Sequence, residues 1–411
     1  MRILFFKNIY EQYWRSLYKK LPGLEQRSFA EQWASFVHDS FFYAGLMQRD
    51  LGQLGWEVME SWTNVRPLQE AWARENDVAV GPGWLKEIPW AQLKKFAPDV
   101  IYSMDGRNID AAFLQRVRAE IPSVKVITGF IGAPTYDIDT FKEYDLLYTC
   151  VHAWVPHFES HGIRCMYEPH VYMDSVLDRL DRTAPKDIDL LFSGGLYRRG
   201  DCHLEREQLL ESLLDFPGLH IYSAQGDISW RADFTDTTLR RIAYVIQQLL
   251  ARLGVPESRR RKLPVIGRAS SWTEMPMSQI NWKLKPHIKP PAFGLDMYRL
   301  LNRAKVTLNM HAQVAGEEAA NMRIFEVIGT GSCLLTDYKP NLSDFFELDR
   351  EVVAYRSVAE CREKARWLLD HPAEREAIAR AGQERVLREY NHMTRAVRLD
   401  GQLRQVAACA E

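Results

Sequence analysis

Short apolar runs alternate with amphipathic stretches along this chain, and the alternation occurs as two separate series. In the first, the runs Arg2–Phe6, Glu57–Ser61, Val100–Ser103, Lys125–Gly129 and Leu146–Thr149 read as strands, with helical segments such as Phe41–Leu54 and Ile109–Glu120 between them. Runs that are apolar almost throughout suit a parallel sheet covered by helices on both faces. After the polar stretch Asp178–Lys186 a second series begins, with strands at Ile188–Phe192, His220–Ser223, Val306–Asn309 and Cys333–Thr336. The pattern predicts an α/β protein with two Rossmann-like domains facing each other across a cleft. The first would span 1–180 and the second 181–392. The tail predicts helices at Val358–Leu369, Ala373–Glu389 and Thr394–Val406, the last (393–411) returning to pack on the first domain. Residues 226–291 fit neither series and read as an insertion in the second domain, with an amphipathic helix and then the run Arg259-Arg260-Arg261-Lys262.

Bulk properties exclude several function classes. The 411 residues carry a formal net charge of −1, so no global field draws the chain to nucleic acid. The six cysteines are scattered without a Cys-x-x-Cys pair, which argues against a zinc site or disulfide framework and fits a reducing cytosol. No apolar run approaches the ~20 residues of a membrane span, and the N-terminal run is too short for a signal peptide. A soluble, cytoplasmic protein is expected. The helix and basic run at 239–262 could add a peripheral membrane contact, against the plainer reading of a core helix beside solvated charges.

The most informative stretch runs from Lys305-Val-Thr-Leu-Asn-Met-His311 through Glu317-Glu318-Ala-Ala-Asn321-Met322-Arg323-Ile-Phe-Glu326 to Gly331. Strand, loop and helix follow in order. Asn321 is a favoured N-cap, so the helix should begin there with its free N–H groups and positive dipole end toward the cleft, where they suit a diphosphate. Glu326, about one turn in, could accept hydrogen bonds from both hydroxyls of a ribose.

Glu318, seven intervening residues, Glu326 and the later Gly331 resemble the Glu-x7-Glu arrangement of retaining GT-B glycosyltransferases. The wording Leu-Asn-Met-His…Asn-Met-Arg-Ile-Phe-Glu-Val-Ile-Gly-Thr-Gly-Ser-Cys-Leu-Leu-Thr-Asp is similar to the CgeB-like branch, named after a spore-maturation protein. The match covers roughly 304–390. It implies a GT-B fold and a hexosyltransferase-like enzyme of polysaccharide or glycoconjugate synthesis. The donor would be a nucleotide sugar, UDP- or GDP-linked, used as co-substrate without another cofactor. Glu326 would bind the donor ribose, Glu318 would lie beside the sugar ring, and amides near Asn321 and Met322 would meet the phosphates. Where the common form has Gly-Phe-Gly after the first Glu, this chain has Ala319-Ala320-Asn321, so Glu317 is an alternative to Glu318.

A leaving diphosphate needs its growing charge neutralised. No Asp-x-Asp stands out at a strand end, which favours a site without metal. The loop Ser193-Gly194-Gly195-Leu-Tyr-Arg198-Arg199 offers close backbone approach and two guanidinium groups, with Arg206 as a third. Arg323 could serve the donor or pair with Glu326 at i,i+3. His311 ends a strand at the cleft and could touch the donor or sit in the core. In the first domain His38 and Asp39, and also Asp105, Asp137 and His152, are candidates to position or deprotonate an acceptor hydroxyl. Tyr10, Tyr13, Trp14 and Phe41–Tyr43 could stack on acceptor rings or simply pack. The acceptor could be a glycan, a lipid-linked sugar or a protein. A nucleotide-sugar epimerase or hydrolase, or a non-catalytic sugar-binding protein, would use the same features. A dinucleotide oxidoreductase would need a Gly-x-Gly-x-x-Gly that Phe6-Lys7-Asn8-Ile9-Tyr10 lacks.

Overall fold

The computed structural model describes residues 1–132, 138–198, 204–312 and 316–409. The first series forms strands β1 (Arg2–Lys7), β2 (Glu57–Trp62), β3 (Val100–Met104), β4 (Val126–Ile131), β5 (Leu146–Thr149) and β6 (Cys165–Tyr167). They make one six-stranded sheet in the order β2-β1-β3-β4-β5-β6, parallel throughout. Successive side chains of a strand point to opposite faces. Ile3, Phe5, Val100 and Tyr102 therefore pack into one cluster, while Leu4, Phe6 and Ile101 pack into another. Both faces are covered, which is why these strands read as unbroken apolar runs.

The second series forms β7 (Ile188–Ser193), β8 (Leu219–Tyr222), β9 (Ile288–Lys289), β10 (Ala304–Asn309), β11 (Cys333–Asp337) and β12 (Val353–Tyr355). Their order is β12-β11-β10-β7-β8-β9, again parallel. Counted within this half, that is the 3-2-1-4-5-6 order of a Rossmann sheet, with its switch point between β7 and β10.

The sequence did not mark β6, β9 and β12, each two or three residues long and too short to show a period. The expected helix Phe41–Leu54 is a shorter one, Leu46–Gln53, because Ser40, Phe42 and Tyr43 adopt left-handed φ and break the chain before it. A helix at Phe29–Asp39 precedes them, opened by a capping box between Ser28 and Glu31. The region 226–291 does leave the sheet for the 23-residue helix Trp230–Arg252, but Ile288–Lys289 at its end return to it as β9.

The last helix, His392–Cys409, crosses to the first sheet, where Ala396, Leu399 and Leu403 join the cluster of Ile3 and Phe5. Polar contacts fix its place: His392 Nδ1 lies 2.6 Å from Asp50 Oδ2, and Trp56 Nε1 donates to Asp400 Oδ1 at 2.6 Å. The two halves also touch directly. Gly294 has φ +52°, and a Cβ there would stand 1.9 Å from Asp39 Oδ2. Only glycine permits that approach.

Candidate functional site

The helix Met322–Thr330 carries the centre of the site. Asn321 is its N-cap, and its side chain accepts from the Ile324 amide at 3.3 Å. The amides of Met322 and Arg323 precede the first intrahelical bond and remain at the positive end of the helix. Asn321 Nδ2 donates to Asn309 Oδ1 at 3.0 Å, and Asn309 Nδ2 to Thr336 Oγ1 at 2.8 Å, so the cap is tied to the ends of β10 and β11. Gly331 closes the helix at φ +85°. Gly329 lets Tyr172 lie flat against it, since a Cβ would meet that ring at 2.3 Å.

This end of the helix opens into a cavity of about 790 Å³ between the two halves. From the second half it is lined by Ser193, Gly194 and Gly195 after β7, by Met310 and His311 after β10, and by Asn321, Met322, Arg323 and Glu326. The carboxyl ends of β7 and β10 flank the switch point, where open α/β sheets bind ligands. From the first half come Tyr10, Phe41, Phe42, Phe130 and His170.

Glu326 is 5% exposed. One carboxylate oxygen lies 2.8 Å from Arg323 Nη1, and the other is 3.4 Å from the Tyr298 hydroxyl, a loose contact that leaves it acceptor capacity. Arg323 lines the cavity and makes the i,i+3 pair with Glu326 considered for it. His311 is buried, its Nδ1 2.7 Å from Asp337 Oδ1, and its Nε2 is enclosed without a protein partner.

Several sequence expectations need correction. Glu318 lies outside the cavity lining. Its carboxylate accepts the amides of His152 at 2.5 Å and Ala153 at 2.7 Å, so it bridges the second half to the first at the start of the helix Trp154–Glu159. Two backbone donors at a helix start suit a carboxylate, and they hold it against the first half, outside the cavity lining. Glu317 is exposed on the surface, 3.9 Å from Lys339. Arg198 does not face the cavity: it pairs with the buried Glu207 at 3.0 Å and donates to the Ile280 carbonyl at 3.0 Å. Arg206 lines the cavity, with its guanidinium anchored on the carbonyls of Met310 at 2.8 Å and Gly195 at 3.2 Å. Gly194 gives its amide to the Tyr222 carbonyl at 3.1 Å, so it offers close approach rather than a free donor.

His38 and Asp39 are not at the cavity either. His38 is exposed, its carbonyl held by Arg179 at 3.0 Å, and Asp39 lies against Gly294 at the contact between the halves. Asp105 is buried as an acceptor for Asn108 at 2.8 Å and for Thr63, and the His152 ring packs on Tyr167. Tyr13 and Tyr43 are buried in packing, and Trp14 packs edge-on against Tyr18. Asp137 and Arg199 lie outside the described residues.

His170 had no signal in the sequence beyond its place after Pro169. Its ring lies against Phe130, with Nδ1 enclosed and unpartnered. Burial, with the charge of Arg395 adding, pushes its pKa down to about 3, so it stands in the cleft wall as a neutral imidazole.

Comparisons with known proteins agree with this architecture. A family model described as glycosyl transferase-like matches residues 240–401. A search of curated proteins finds no match. Among solved structures, sucrose-phosphate synthase from Thermosynechococcus elongatus superimposes with a TM-score of 0.56 at 10% identity, covering 100% of both chains. HepE from Anabaena in complex with UDP-glucose gives 0.52 at 10% identity over 100% of both. The α,α-trehalose 6-phosphate synthase from Burkholderia multivorans gives 0.53 at 12% over 100% of this chain and 99% of that one. With two parallel sheets facing across a cavity and a last helix that crosses back, this chain has the GT-B fold, and its residues 240–401 match the glycosyl transferase-like family.

Proposed function

We propose that this protein transfers a sugar from a nucleoside-diphosphate donor to an acceptor hydroxyl, without a metal ion and with retention at the anomeric carbon. The observation that carries the reading is the open N-terminus of the helix Met322–Thr330, set at the switch point of a Rossmann sheet with Glu326 one turn inside it. Amides at the helix start suit a diphosphate, and a carboxylate one turn away suits ribose hydroxyls. Among the described residues the cationic side chains lining the cavity are Arg206 and Arg323, placed to meet charge that grows on a leaving diphosphate. Retention rests on the likeness of Glu318…Glu326 to the Glu-x7-Glu arrangement alone. Glu318 would support it indirectly, by holding the halves together.

The acceptor would enter from the first half, where Tyr10, Phe41, Phe42 and Phe130 offer apolar faces to a sugar ring and the neutral His170 offers a hydrogen bond. A panel of UDP-, GDP-, ADP- and dTDP-sugars screened by thermal shift should find a donor that raises Tm, because only the folded chain binds it. Mass spectrometry with that donor and a glycan mixture should then show a product heavier by one sugar. Release of free sugar or an epimer with every acceptor tried would point instead to a hydrolase or epimerase on the same fold.

A further inference from the structure

The helix Trp230–Arg252 is mounted with its polar side inward. Asp233 is buried, accepting from Ser278 Oγ at 2.5 Å and the Gln279 amide at 2.9 Å. Gln247, also buried, donates to the carbonyls of Ile266 at 2.9 Å and Arg260 at 3.3 Å. Arg241 and Tyr244 add bonds to the Pro276 and Thr273 carbonyls. These contacts satisfy one face of the helix with polar partners.

The opposite face is apolar and open. Leu239, Ile242, Val245, Ile246, Leu249 and Leu253 recur at three- and four-residue spacing, so they share one side, and every one is exposed, Leu253 to 79%. Trp230 and Phe234 continue the exposed apolar surface toward the start of the helix. An exposed apolar row of this length marks an interaction surface rather than scattered surface residues. The core-helix reading of this stripe is therefore overturned.

Charge identifies what covers it. Between 230 and 268 there are nine Lys and Arg against three Asp and Glu, a net of +6 in a chain whose total is −1. Arg252, Arg259, Arg261, Lys262 and Arg268 are exposed, and the loop that carries the last four is held to the polar side of the helix by Gln247. Among them Val265 stands out at 96% exposure, held outward by a left-handed φ of +64°. A helix with an apolar stripe on one side and a basic loop on its other side matches a surface that is apolar below and anionic above. A second copy fits less well, since a two-fold contact would bring two +6 segments together.

We propose that the exposed stripe of the helix Trp230–Arg252 docks on an anionic phospholipid bilayer, lying in the plane of the surface with the stripe at the acyl boundary and the basic loop 259–268, on the helix's polar side, at the headgroups. This contact does not depend on the transferase reading, because none of these residues lines the cavity.

The test is flotation of the full chain with phosphatidylcholine vesicles, with or without about one-third phosphatidylglycerol. Binding should require phosphatidylglycerol and weaken with added salt. The triple variant Arg259→Ser/Arg261→Ser/Lys262→Ser should lose about 100-fold in vesicle affinity, at a few-fold per basic residue near the surface. Ile242→Gln/Leu249→Gln should also lose binding, with unchanged melting and unchanged nucleotide-sugar affinity. All five side chains already face solvent, so folding is spared. A chain that stays with the soluble fraction at low salt on phosphatidylglycerol vesicles overturns the proposal. So does concentration-dependent dimerisation that Ile242→Gln/Leu249→Gln abolishes while lipid binding is absent, which would assign the face to a second copy.

Discussion

Asp337 holds His311 twice: one carboxylate oxygen lies 2.7 Å from the imidazole Nδ1 and accepts the His311 backbone amide at 2.8 Å. Burial would raise the Asp337 pKa, but the hydrogen bonds from His311 outweigh it and keep the carboxylate below its ordinary value. A carboxylate partner favours the tautomer with its proton on Nδ1. The atom offered to a ligand is then Nε2, which no protein group satisfies. His311→Ala should weaken nucleoside-diphosphate binding by about 1 kcal/mol, the net worth of one hydrogen bond. Asp337→Asn keeps the ring but loosens its orientation and should lose less. Calorimetry showing native affinity for folded His311→Ala would remove this residue from the donor site.

For Glu326 the expected loss is larger, because its bonds to a ribose would involve a charged acceptor. Glu326→Ala should weaken the same binding by about 1.5–3 kcal/mol. The carboxylate also pairs with Arg323, so the variant leaves that guanidinium without its 2.8 Å partner. Glu326→Gln, which preserves shape and acceptor oxygen, separates the two effects. It should recover most of the fold stability and only part of the affinity. If Glu326→Gln binds nucleotide as well as the native chain, ribose recognition lies elsewhere.

The two arginines after β7 should behave oppositely. Arg206 lines the cavity, so Arg206→Ala should lower kcat more than it raises KM, since the charge it would meet grows in the transition state. Arg198 instead neutralises Glu207, whose side chain is 4% exposed. Arg198→Ala should destabilise by about 3 kcal/mol, as a buried charge left without its partner does, with kcat of the remaining folded enzyme near native. Transfer should persist in EDTA. Loss of activity in EDTA with recovery on adding magnesium or manganese would replace these cations with a metal site.

The sheets were legible because strands buried on both faces leave unbroken apolar runs, as in Arg2–Lys7 and Ile188–Ser193. The N-cap at Asn321 and the place of Glu326 one turn into the helix were legible because capping and helical spacing are local properties. What escaped was set by distant partners. Arg198 and Arg206 look alike in sequence, and the choice between cavity and core was made by Glu207, Ile280 and Met310. Glu318 was assigned to the sugar because nothing in its neighbourhood announces the amides of His152 and Ala153, some 165 residues earlier. The stripe at Leu239–Leu253 was legible as a stripe, but a period shows that one face is apolar without showing which way it faces.

Asp39 supplies a pH test of the contact between the halves. Burial raises its pKa to about 6, with Asp296 adding, against the lowering influence of Tyr13, Lys20 and the Leu295 amide. The folded state therefore holds this proton more tightly than the unfolded chain, where the ordinary value is 3.8. The stability gained is fully present below about pH 4 and is lost as pH rises through about 6. Asn at this position does not titrate. Asp39→Asn should consequently gain on the native chain as pH rises from 5 to 8, by on the order of 1 kcal/mol, since only the last unit below the folded pKa of about 6 lies in that range. The depressed histidines His170 and His392 act in the opposite sense, destabilising the fold toward acid, but they are common to both proteins and cancel in the difference. Urea unfolding of both proteins at pH 5 and pH 8 measures that difference directly. An offset that stays constant across the range would mean that Asp39 is better solvated than its place against Gly294 implies, and that the halves separate there in solution.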